Sequence, residues 1–164
     1  MSINLHKDTI NDLQMRYIRA LDEKNMSAWL DSFEESATSN YRCISRENFE
    51  NGLELSFMLD DSYNRLKDRV SYIDEIWKGT YQDYWTRHFT QCLSIEACND
   101  SANTFDVTSN LQILYTPDDT RSTEVLVSGV YKDKVLVKGD TARFVSKQAI
   151  LDTTVLPRYL VYPV

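Results

Sequence analysis

The chain has 164 residues, enough for one domain with a real core, and its 42% hydrophobic and 26% charged content is that of an ordinary globular protein. A net charge of −7, from 25 acidic and 18 basic residues without any Lys/Arg cluster, argues against nucleic acid as a partner, and no apolar run is long enough to span a membrane. The opening Met1-Ser-Ile-Asn-Leu-His-Lys7 lacks the apolar heart of a secretory leader, so a cytoplasmic protein is expected.

The first half reads as helices. Ile10, Leu13, Tyr17 and Leu21 fall on one face at spacings of three and four, which predicts a helix from about Asp8 to Leu21. A second helix is expected from Ser27, an N-cap residue, to between Glu35 and Thr38, presenting Trp29, Leu30, Phe33 and Ala37. Asn40 to Cys43 reads as a short strand, and Ser45 to Gly52 as a polar turn. Leu53, Leu55, Phe57 and Leu59 alternate with Glu54, Ser56 and Met58, the period of a strand. A third helix follows from about Asp61 to Gly79, with Tyr63, Leu66, Val70, Ile73 and Trp77 on one face and carboxylates at its positive end.

The second half reads as four long strands, near Tyr84 to Ala97, Thr104 to Tyr115, Thr123 to Val137 and Ala142 to Thr153. The turns between them are Asn99-Asp-Ser101, Thr116-Pro-Asp-Asp119 and Lys138-Gly-Asp140. Helices followed by a strand meander make an α+β order, not the alternation of a parallel βαβ sheet. Strands of this length coil, so a strongly curved sheet should wrap the helices into a cone with one pocket. One domain, 1–164, is expected.

Catalytic chemistry is sparse. Cys43, Cys92 and Cys98 fit no zinc or disulfide spacing and read as buried, reduced thiols. Only His6 and His88 are present, too few for a His-rich metal site. His88 follows Arg87 on the first long strand, and neighbours on a strand point to opposite faces. Facing inward, His88 could act as a general acid or base; facing outward, it is a surface or subunit contact. Asp22, Asp31, Asp60, Asp61, Asp68 and Asp152 are candidate carboxylates that also serve as helix caps and solvated charges. An enzyme on such a cone would draw together Tyr41, Asp61, His88 and Tyr131. No GxGxxG, Walker, HExxH or CxxC pattern occurs. The apolar ending Leu160-Val-Tyr-Pro-Val164 should be buried, either in the mouth of its own cone or against another subunit.

Several short elements in order carry a resemblance. Trp29-Leu30…Phe33 and Tyr41, then Asp60-Asp61…Leu66…Arg69-Val70, Arg87-His88, Ser109-Asn110, Gly129-Val-Tyr-Lys-Asp133 and Leu151-Asp152 are each weak alone and specific together. Over nearly the whole chain they resemble the small (β) subunit of Rieske-type aromatic-ring-hydroxylating dioxygenases. The chain departs from that pattern at Lys147, where the family often has Arg, which bears on one local ion pair. The segment Arg46 to Leu53 and the Tyr-Pro ending look most like subunits of enzymes acting on aromatic carboxylates such as salicylate, anthranilate, halobenzoate or terephthalate.

The resemblance implies the cone-shaped α+β fold of the nuclear transport factor two and ketosteroid isomerase type, with N-terminal helices packed in a mainly antiparallel sheet. It implies a structural subunit of an oxidoreductase in aromatic catabolism, without catalytic residues or metal of its own. The Rieske [2Fe–2S] cluster and mononuclear iron are then expected in a partner α subunit, with this chain forming the trimer of an α3β3 hexamer. Arg69, Arg87, His88, Arg158 and Tyr159 are the expected interface contacts, since Arg and Tyr are common interface anchors. The alternative is a stand-alone isomerase or dehydratase using His88 with an Asp and a Tyr.

Overall fold

A computed structural model describes residues 3–99 and 101–164. Met1 and Ser2 of the N-terminal stretch, and Asp100 of the expected Asn99–Ser101 turn, lie outside the described residues.

Helix α1 (Ile3–Asp22) lies across the concave face of a six-stranded sheet and buries Ile10, Leu13, Tyr17 and Leu21, the face read from the sequence. Helix α2 (Met26–Leu30) is shorter than expected and is capped by Asn25, whose side chain accepts from the Ala28 N–H at 3.0 Å, rather than by Ser27. The helix stops because the sheet captures the chain. Ser32 O accepts from the Phe144 N–H, and the Glu34 N–H donates to Phe144 O, so Phe33 is drawn beside the last strand.

Strand β1 (Asn40–Ser45) runs into helix α3 (Arg46–Glu50), where a turn was expected. Ser45 supplies the cap, accepting from the Asn48 N–H at 3.2 Å. The alternation from Leu53 to Leu59 yields only a three-residue strand, β2 (Met58–Asp60). Side chains hold that segment as a loop: Arg42 donates to Ser56 Oγ and Leu53 O, and Asn48 donates to Leu55 O. Leu53, Leu55, Phe57 and Leu59 are consequently exposed. Helix α4 (Tyr63–Ser71), capped by Ser62, widens into a π-helical turn (Tyr72–Trp77).

Strands β3 (Tyr84–Ala97), β4 (Thr104–Pro117), β5 (Glu124–Lys138) and β6 (Thr141–Leu151) form the antiparallel meander read from the sequence. The sheet order is β2-β1-β6-β5-β4-β3, with β1 parallel to β6 and every other pair antiparallel. Register shifts at Cys92/Ser94, Ile113/Leu114 and Lys134/Val135 are bulges, which bend a strand and increase its twist. Three bulges in three adjacent ladders curl the sheet around α1. The result is the cone fold of the nuclear transport factor two and ketosteroid isomerase type.

At Gly129 the strands approach closely. A Cβ there would sit 2.1 Å from the Ile150 carbonyl oxygen, so only glycine allows β5 and β6 to meet. The thiols differ from expectation. Cys43 is buried, and burial pushes it up to about 12, but Cys92 is exposed and Cys98 half-exposed near the open end of β3.

Candidate functional site: a cone closed by its own tail

The interior of the cone is polar at three places. The first is a histidine–aspartate pair. Strand alternation turns His88 inward and Arg87 outward, so His88 is buried and is not a surface contact. Its partner is Asp22 at the end of α1, with Nδ1 2.6 Å from Oδ1. The His88 backbone N–H and the Thr86 hydroxyl also donate to this carboxylate, at 3.1 and 2.9 Å. Burial raises the Asp22 carboxyl, but these His88 and Thr86 donors outweigh it and hold the group below the usual carboxylate value. His88 Nε2 is left without a hydrogen-bond partner.

Asp61, the carboxylate expected beside His88, is solvent-exposed at the start of α4. Its neighbour Asp60 is buried and accepts from Arg69 Nε and from Nη2, the latter at 3.0 Å. Arg69 is thereby an internal brace of β2 against α4 and not a free contact residue. Burial still leaves the Asp60 carboxyl raised, against the pull of Arg69.

The second polar place is the tail. Tyr41 does not face His88; its hydroxyl accepts from the Val164 N–H at 2.9 Å and donates to the Val164 carbonyl oxygen at 3.1 Å. Tyr17 donates to the same oxygen at 3.0 Å. Tyr84 accepts from the backbone N–H groups of Val161 and Tyr162, and the Tyr81 and Tyr162 hydroxyls meet at 2.5 Å. Four tyrosines thus lace residues 161–164 into the mouth of the cone. What remains beside His88 is a void of about 10 Å³, lined by Tyr84, Ile113, Leu126, Tyr162 and Val164. That is roughly the room of a single water molecule.

The third place is a fully buried ion pair. Lys147 of β6 lies opposite Asp133 of β5, and its Nζ donates to Asp133 Oδ2 at 2.8 Å and to Gln14 Oε1 at 3.2 Å. The ammonium is caged by the rings of Tyr131, Phe144 and Tyr17, with centroids 3.6, 4.3 and 4.4 Å away, a cation–π arrangement. Burial lowers Lys147 to about 8 against the Asp133 attraction. Burial likewise raises the Asp133 carboxyl, opposed by Lys147 and by the nearby Gln148 backbone N–H. Oδ1 of Asp133 nevertheless lacks a hydrogen bond of good geometry. Tyr131 belongs to this cage rather than to the His88 pair, so the Gly129…Tyr131…Asp133 motif is a packing unit answered by Lys147.

The outer surface holds the remaining expected contacts. Arg158 lies over the Tyr84 ring at 3.9 Å and donates to Gln82 O, while Tyr159 accepts from the Gln82 N–H. Both pin the tail, with Tyr159 still exposed. Arg87 alone of the five lies free on the outer face, in a groove of about 570 Å³ with Trp85, Leu114 and Arg121. Trp85, Phe89 and Leu93 are each more than half exposed along the same edge strand. The alternation that places Arg87 outward does the same for Trp85 and Phe89, so the sequence held that signal. Asp22 as the partner of His88 carried no comparable one.

No group of three or more His, Cys, Asp or Glu side chains is placed to hold a metal among the described residues. Among the described residues, no helix is long and apolar enough to cross a membrane. Residues 16–158 match the family model described as the ring hydroxylating beta subunit. The chain is 30% identical to the anthranilate 1,2-dioxygenase small subunit of Burkholderia cepacia, over 93% of this chain and 90% of the relative. It is 29% identical to a terephthalate 1,2-dioxygenase terminal oxygenase beta subunit of Comamonas sp., over 94% and 99%. In fold it is similar to a solved structure from Novosphingobium aromaticivorans, described as the beta subunit of an aromatic-ring-hydroxylating dioxygenase, with a TM-score of 0.81 and 24% identity over 96% and 95% of the two chains. A cone whose mouth is tied shut by its own tail, whose Gly129…Asp133 motif builds a buried brace, and whose sequence matches over nearly its full length belongs to the β subunits of aromatic-ring-hydroxylating dioxygenases.

Proposed function

We propose that this β subunit is a non-catalytic scaffold, a single domain that supports α subunits in an α3β3 assembly built on a trimer of this chain. The observation that carries the reading is the closed mouth of the cone beside His88. The His88–Asp22 pair, which the alternative enzyme reading would need, faces a void of about 10 Å³ behind a laced tail. A substrate-binding pocket is typically ~300–1,000 Å³.

The oxidation then takes place in the α subunit. A Rieske cluster needs two cysteine and two histidine ligands, and this chain brings no such set together among the described residues. In this reading the Rieske [2Fe–2S] cluster and mononuclear iron are held by the partner, and the assembly works in the cytoplasm. The anthranilate and terephthalate enzymes among the relatives support an aromatic carboxylate as substrate class. The row Trp85, Arg87, Phe89 and Leu93 supports assembly on the outer face, because exposed apolar rows on an edge strand mark contact surfaces.

Co-expression with a Rieske α subunit tests the reading. One coloured complex should elute, hydroxylate an aromatic carboxylate, and fall apart on W85A or R87A substitution. The competing reading, a stand-alone isomerase or dehydratase, draws on the His88–Asp22 pair. It prevails if the chain stays alone and turns over a substrate in a way that H88A abolishes.

A further inference from the structure

A second cavity, of about 270 Å³, lies between α1 and the sheet, further along β3 from His88, where Thr90 and Cys92 line it. Ile10, Met15, Val107, Val135 and Phe144 wall it, and Gln14, Ser109 and Asp133 add polar atoms. It reaches solvent beside Met15 and Cys92, which are exposed. Two of its polar atoms are buried and make no hydrogen bond of good geometry: Asp133 Oδ1, an acceptor, and Gln14 Nε2, a donor. Their orientation is set by Lys147, which holds the opposite oxygen of each group, Asp133 Oδ2 at 2.8 Å and Gln14 Oε1 at 3.2 Å. Buried polar groups left unpaired are costly, so a ligand that completes both has a ready source of affinity.

The charges select the ligand. An anion has no proton to donate to Asp133 Oδ1, which can only accept. A cation meets a carboxylate already neutralised by the Lys147 ammonium behind it. A neutral hydroxyl is both donor and acceptor and can serve both orphaned atoms at once. The volume falls below the ~300–1,000 Å³ of drug-sized sites, and the apolar walls suit a flat ring. We infer that this cavity is a binding site for a small neutral hydroxyarene, of the phenol or catechol class, its hydroxyl donating to Asp133 Oδ1 and accepting from Gln14 Nε2. The site lies apart from the closed mouth of the cone and does not rest on the scaffold reading.

The test is a titration of the full chain followed by protein NMR, reading the Met15 methyl and the amides of Val107 and Val135. The probes are phenol, catechol, benzene and benzoate. Phenol and catechol should give saturable shifts at least tenfold tighter than benzene or benzoate. Q14L should weaken phenol about tenfold and leave benzene unchanged. D133N breaks the buried ion pair, whereas Q14L removes only the longer 3.2 Å contact of Lys147, so Q14L, with its fold checked by its amide spectrum, is the deciding variant. Absence of saturable shifts, equal affinity for benzene and phenol, or a Q14L variant that binds phenol unchanged would each overturn the assignment.

Discussion

The hydroxyl of Tyr41 makes two hydrogen bonds to one residue, accepting from the Val164 N–H and donating to the Val164 carbonyl oxygen. This reciprocal clasp joins β1 to a segment 123 residues further along the chain. It fixes the tail by its backbone, whatever side chains the tail carries.

Y41F removes both bonds and leaves the Val164 N–H buried without an acceptor. Urea unfolding should show a loss of about 1–3 kcal/mol, the cost of an orphaned buried polar group. Unchanged stability would mean that the tail is held by apolar packing alone.

Removing one partner of the Lys147–Asp133 pair strands the other charge in the core. K147M should cost about 3–5 kcal/mol, and the double variant D133L/K147M should recover most of that, because an apolar pair of similar volume carries no desolvation penalty. A double variant as unstable as the single one would show that the cage itself, not the charge, is what Lys147 maintains.

The same lysine gives the fold an alkaline signature. Burial lowers Lys147 to about 8 from an ordinary 10.5. Between those values the unfolded chain binds a proton that the folded chain has released, so this group makes the unfolding free energy rise with pH. Above pH 10 the sign reverses. Burial keeps Tyr17, Tyr41 and Tyr131 protonated in the folded state well beyond their usual 10.0, while the unfolded chain gives those protons up. K147R, which stays charged, should lose the rise between pH 8 and 10 and keep the later fall. Parallel pH profiles for wild type and K147R would refute this.

At the acid end the Asp22–His88 pair contributes. The Asp22 carboxyl is held below its ordinary 3.8, so its stabilising contribution is present above about pH 4 and is lost as pH falls through the lower folded value. D22N should therefore cost about 1.5–3 kcal/mol at pH 7, the worth of hydrogen bonds to a charged group, and noticeably less near pH 3. Chemical denaturation at the two pH values reads the difference.

G129A tests the close approach of β5 and β6. With a Cβ 2.1 Å from the Ile150 oxygen the strands must part, at a cost of about 3 kcal/mol, the upper end for overpacking. A fully stable G129A would require a backbone shift that should also loosen the Asp133–Lys147 register.

The long strands were legible because their alternation and turn residues agree; β3 runs from Tyr84 to Ala97, as read from the sequence. Helix α1 was legible from its apolar face. The segment Leu53 to Leu59 was not, because Arg42 and Asn48 satisfy its carbonyls from outside the segment. Nor was the end of α2, which is decided by backbone bonds to Phe144, more than a hundred residues away. For the site, alternation alone set Arg87 and His88 on opposite faces, but which faced inward depended on the curl of the sheet. The pairing of Asp133 with Lys147 depends on hairpin register and on the bulge at Lys134/Val135, neither of which composition encodes.

The parallel seam between β1 and β6 has a kinetic consequence. Asn40 pairs with Ser146, and Ser146 Oγ donates to Asn40 Oδ1 across 106 residues of chain. During synthesis β1 has only the short β2 beside it and must wait for β6. Closing so large a loop is slow, and until it closes the edges of β1 and β6 stay open to mispairing. The meander β3–β6 is local and can form first, with α1 and the tail sealing the cone last. Oligomerisation should therefore follow completion of the whole polypeptide rather than begin on the ribosome.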